Sequence, residues 1–129
     1  MRLPSKIDYT LTSKARAVAE KITGLPSNAL PAIFVCEHDR GWFRPREDGT
    51  TITIPSRTYR DSRPGYFTYY IAHELSHFLN WKEREEGSQH NLNFYRHFAT
   101  LCPASRWRYE YSYKKRAKNY LKRIANEAN

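Results

Sequence analysis

Apolar side chains recur along this chain with two different periods, and the change of period divides it into helical and extended parts. Ala15, Val18, Ala19 and Ile22 fall on one face of a helix, which predicts a first helix over residues 13–23. Thr12 or Ser13 can cap its start, and Gly24 can close its end. Beyond Pro26 and Pro31 the pattern turns extended. Residues 32–37 form a short apolar run of strand formers, and segments 42–46 and 50–54 flank Glu47-Asp48-Gly49, where Asp-Gly signals a hairpin. Thr51-Ile52-Thr53-Ile54 alternates as a half-buried strand does. With a further turn at Asp39-Arg40-Gly41, the expectation is a three-stranded antiparallel meander.

After a polar loop over 55–64 the helical period returns. Ile71, Leu75, Phe78 and Leu79 make a core-facing stripe, so a second helix is predicted over 65–83. The charged run from Glu83 to Glu86 leads into Gly87-Ser88, where the chain can turn, and a third helix over 89–101 is stopped by Pro103. Trp107, Tyr109, Tyr111 and Tyr113 alternate like a strand, whereas Tyr113, Ala117, Tyr120, Leu121 and Ile124 suit a helix. A terminal helix over 113–126 is expected, with the residues just before it unassigned. The fold class is therefore α+β: one domain over 1–129, in which 104–129 is a basic, aromatic C-terminal extension.

His73-Glu74-Leu75-Ser76-His77 is an HExxH sequence inside the second helix. Residues four apart share a helical face, so both imidazoles can reach one ion. Glu74 sits beside that face, where a carboxylate can act on water held by the ion rather than on the ion itself. Zinc is the expected metal, because it lowers the pKa of such a water to about 7 and polarises a scissile carbonyl. A catalytic zinc needs a third protein ligand and an open position. The extended motif of metzincins is absent, since Asn80 stands where it has glycine and Glu83 where it has histidine. His90 follows the turn and is the first choice for third ligand, with His97, one face-repeat further on, as runner-up. Glu83, Glu85 and Glu86 read as a solvated charged face, and His38 as an exposed turn residue. Tyr95, Arg96 and His97 are candidates for an oxyanion partner.

Composition narrows the class. With 129 residues, 40% of them hydrophobic and 15% aromatic, the chain can bury a core without staples and is unlike a disordered segment. Cys36 and Cys102 form no CxxC pair and read as reduced, buried thiols. No stretch approaches the roughly 18 apolar residues that a membrane span needs. A cytoplasmic location and no membrane partner are the expectations.

The pattern of His73, Glu74 and His77 followed by His90 and Phe94 resembles the HExxH…HxxxF arrangement of SprT-like and WLM-type zinc metallopeptidases. The resemblance covers residues 12–102 in order of elements. It implies a compact zincin-like fold, Zn2+ held by His73, His77 and His90, Glu74 as general base, and a protein substrate associated with nucleic acid. Asn91 departs from it, standing where many relatives have glycine, and no Cys-rich ribbon follows the third helix. Phe98-Ala99-Thr100-Leu101-Cys102-Pro103 also looks like the FAxxLLxP ending of ImmA/IrrE regulatory peptidases of mobile elements. That family's glutamate ligand has no counterpart here, the nearest positions being Asn91, Leu92 and Asn93.

The net charge is +9, and much of it lies in the extension. Lys114, Lys115, Arg116 and Lys118 are the centre of a run of cations accompanied by Trp107, Tyr109, Tyr111, Tyr113 and Tyr120, while Glu110 is its single acid. Cations that track phosphates and rings that stack on bases would bind single-stranded DNA or RNA. The competing arrangement is a docked helix with its rings inward and its cations to solvent. The expected activity is a peptidase, against two alternatives: a regulatory peptidase, or a nucleic-acid-binding module with a non-catalytic metal site.

Overall fold

The computed structural model describes residues 3–38, 40–44, 50–84, 90–113 and 115–127, with backbone alone at 84, 112 and 113. Helix α1 (Tyr9–Thr23) begins four residues before the predicted start, because Asp8 rather than Thr12 or Ser13 caps it. The Asp8 carboxylate accepts from the Leu11 N–H at 2.9 Å. Thr12 instead lies within the helix, buried, where its Oγ1 accepts from the Val35 N–H at 2.9 Å. Asp8→Ala is expected to cost about 1 kcal/mol of stability, measured by denaturant unfolding. At the other end Gly24 closes the helix in the left-handed conformation, φ 69°, as predicted.

The strands are β1 (Ala32–Cys36), β2 (Trp42–Arg44) and β3 (Thr51–Pro55). They do not form an antiparallel meander. The sheet is mixed, in the order β1-β3-β2, with β1 parallel to β3 and β2 antiparallel to it. Burial explains the order. All five residues of β3 are buried, Thr51 and Thr53 included, so its alternating pattern does not mark a half-exposed strand and it takes the centre. The short, partly exposed β2 takes an edge. The outer edge of β1 is covered: Asp8 N–H donates to Val35 O at 2.8 Å, Arg16 Nε to Ile33 O at 3.1 Å, and Ile7 bridges Cys36. The Glu47-Asp48-Gly49 turn and Asp39 lie outside the described residues.

Helix α2 (Tyr66–Arg84) is the centre of the molecule. Every residue from Ile71 to Phe78 is buried, so this helix is enclosed all round rather than along one stripe. Against it packs α3 (Leu92–Leu101), three residues shorter at its start than predicted, because Asn91 caps it by accepting from the Phe94 N–H at 2.9 Å. The extension forms two helices, α4 (Arg108–Tyr113) and α5 (Ala117–Glu127), where a single helix over 113–126 was expected. Both belong to the core, through Tyr109, Ala117 and Leu121. Cys36 and Cys102 are buried free thiols. Among the described residues no helix is long and apolar enough to cross a membrane.

Candidate metal centre

The buried middle of α2 carries His73, Glu74 and His77, which are only 6–8% exposed. His90 lies in the two-residue approach to α3 rather than on its first turn, and the predicted turn at Gly87-Ser88 lies outside the described residues. Its Nε2 lies 3.3 Å from Nε2 of His73. One ligand atom from each of His73, His77 and His90 falls within 4.8 Å of the others, so the three can share a metal ion. Phe94, fully buried, closes the site from α3, its ring centroid 4.6 Å from that of His77, 4.9 Å from His90 and 5.1 Å from His73.

Three asparagines set the register between α2 and α3 and so deliver His90. Asn80, fully buried, donates to Asn91 Oδ1 at 3.3 Å and accepts from Asn93 Nδ2 at 2.8 Å. The departure at Asn91 thus has a local cause: its side chain caps α3 and ties that cap to α2.

His97 is not part of the cluster. Its Nε2 pairs with the Glu83 carboxylate at 2.9 Å, and Asn93 donates to the same oxygen at 3.1 Å. Glu83 is therefore engaged rather than simply solvated, whereas Glu85 and Glu86 lie outside the described residues. The oxyanion candidates are also occupied elsewhere: Arg96 pairs with Glu127 at 2.8 Å, and the Tyr95 hydroxyl, buried, donates to Glu110 at 2.9 Å. His38 is half-buried rather than exposed.

Glu74 opens onto a cavity of about 200 Å³ lined by Gly41, Arg63, Tyr66, Tyr69, Tyr70, His73 and Tyr109. Burial pushes the Glu74 carboxyl up to about 7, against the smaller pull of His73. Tyr70 borders the same space and accepts from the Gly41 N–H at 2.9 Å. Burial, with Glu74 nearby, raises its hydroxyl to about 12, so it is a neutral donor at ordinary pH. A Cβ at Gly41 would collide with the Tyr70 ring, which explains glycine at this position.

No protein-family model, curated protein or solved structure matches the chain.

The structure adds Glu110 to the residues that the HExxH motif and His90 mark. Glu110 is fully buried, and its Oε1 accepts from His73 Nδ1 at 2.7 Å and from the Tyr69 hydroxyl at 2.9 Å. Burial alone would raise its pKa, but His73 and the three hydrogen bonds outweigh it and hold the carboxyl below its ordinary value. The available signal was a lone acid among cations and aromatics. The described rings of the extension turn inward: Tyr109 is buried and donates to Pro64 O at 2.8 Å, Trp107 Nε1 donates to Cys102 O at 2.9 Å, and Tyr120 stacks on Tyr95 at 5.4 Å. Lys115, Arg116 and Lys118 are exposed, and Lys114 lies outside the described residues.

Proposed function

We propose that this protein is a zinc metallopeptidase with a zincin-like fold. The observation that carries the reading is the meeting of His73, His77 and His90 beside a buried carboxylate that faces a cavity. Tetrahedral zinc with bonds of about 2.0–2.1 Å needs its nitrogens roughly 3.4 Å apart, close to the 3.3 Å between His73 and His90. Three neutral imidazoles and no fourth protein ligand among the described residues suit a catalytic site with an open position better than a closed structural one.

When bound, the ion would polarise the scissile carbonyl and acidify a coordinated water to a pKa of about 7. Glu74 takes a proton from the attacking water as its oxygen bonds to the carbonyl carbon, and returns it to the leaving amine as the C–N bond breaks. A carboxyl raised by burial to about 7 is poised for both transfers near neutrality, and a nearby cation would pull it part of the way down. Tyr70 replaces Tyr95, Arg96 and His97 as the donor best placed to meet developing negative charge. An extended polypeptide adding to the β2 edge would pass Gly41 and the cavity, gaining main-chain hydrogen bonds without a demand for sequence. The test is cleavage of an unfolded protein substrate, lost on chelation and restored by zinc. Absence of zinc binding by the intact protein would sink the reading.

The exposed cations supply a surface for nucleic acid, held through phosphates alone because the described rings are packed inward. Affinity for single-stranded DNA should fall with salt at a log–log slope of roughly −0.7 per phosphate contact. Replacing Lys115, Arg116 and Lys118 with Gln should flatten that slope while zinc content stays constant, as read by fluorescence anisotropy and elemental analysis. An unchanged slope would leave these cations as a solvated face.

A further inference from the structure

We propose that Glu110 is a positioning residue of the metal centre: from α4 in the C-terminal extension, it holds the His73 ring so that Nε2 is presented to the ion. The inference rests on His73 being a metal ligand, as read above. A carboxylate with no exposure is costly unless every lone pair and its charge are met. Glu110 has three donors, the hydroxyls of Tyr69 and Tyr95 and the Nδ1–H of His73, and the contact to His73 is the shortest, at 2.7 Å. The two hydroxyls are neutral, and an imidazole protonated on Nδ1 alone is neutral as well, so the three donors meet the lone pairs of Glu110 without meeting its charge. A cation on the opposite nitrogen of that ring would give the buried carboxylate its balancing charge.

The bond also selects a tautomer. With its proton on Nδ1 and directed at Glu110, His73 leaves the Nε2 lone pair facing His90, the direction in which a ligand atom is needed. A carboxylate on the outer nitrogen orients a ligating imidazole and strengthens it as a donor. The partners come from three helices: Tyr69 and His73 from α2, Tyr95 from α3 and Glu110 from α4. The extension is thereby part of the centre rather than an appendage to it.

Glu110→Gln keeps the shape and removes the charge. Its zinc affinity, measured by competition with a chromophoric chelator, is expected to fall about 10- to 100-fold, while Tyr95→Phe, which spares the His73 contact, stays near wild type. A merely structural role predicts instead that both variants lose affinity in proportion to their fall in melting temperature. A second measurement needs no variant: ring-nitrogen NMR of metal-free wild-type protein should find His73 in the Nδ1–H tautomer, and the Nε2–H tautomer would overturn the proposal. Should Glu110→Gln fail to fold, that tautomer decides. Wild-type zinc affinity in folded Glu110→Gln overturns this inference alone, whereas absence of zinc binding by wild type overturns the metal reading beneath it.

Discussion

Glu74→Gln is expected to keep the metal and lose peptidase activity by about 100- to 10,000-fold, the range that a positioned general base contributes. That loss corresponds to about 3–5 kcal/mol of transition-state stabilisation. The amide fits the same buried space, and none of the three converging imidazoles is touched, so zinc content should be unchanged. What the amide cannot do is accept the proton from water. The measurement is kcat/KM on an unfolded protein substrate beside elemental analysis of the same preparation. Because the carboxylate pays a desolvation cost that the neutral amide avoids, the metal-free variant should be no less stable than wild type above about pH 7. A group whose pKa is raised on folding adds stability below its unfolded pKa, and that contribution is lost as the pH climbs through the folded value of about 7. Undiminished cleavage by Glu74→Gln would remove Glu74 from the chemistry.

The second large effect concerns the ligands. His73→Ala, His77→Ala and His90→Ala should each weaken zinc binding by more than the about 10- to 100-fold attributed to an outer hydrogen-bonding partner, since each removes a ligand atom from the cluster. His97→Ala should leave zinc affinity alone. Its imidazole pairs with a half-exposed Glu83 carboxylate, an arrangement worth at most about 1 kcal/mol of stability. The ranking of His90 against His97 is the sharpest comparison, because both lie near or on the same helix. Zinc loss in His97→Ala with retention in His90→Ala would contradict the convergence of His73, His77 and His90.

Local chemistry made much of this protein legible from its order of residues. The i, i+4 spacing on an apolar-striped helix put His73 and His77 on one face, and Gly87-Ser88 followed by His90 pointed to a returning chain. Gly24 as a helix stop and the α+β class followed in the same way, from backbone preferences that act within a few residues. Tertiary packing decided the rest, because its causes act across long separations. The antiparallel meander gave way to β1-β3-β2, since the strand that buries both faces belongs in the middle, and one strand's own alternation cannot report what covers its second face. The rings of the extension were as compatible with stacking on bases as with a core; Tyr95 and Pro64, distant in sequence, and the nearby Cys102 carbonyl hold Tyr120, Tyr109 and Trp107 inward. Glu110 is 37 residues from His73, and standing alone among cations and rings does not by itself tell a buried acceptor from a solvated acid. Its role emerges only where three helices exclude water and leave one carboxylate to satisfy two hydroxyls and an imidazole.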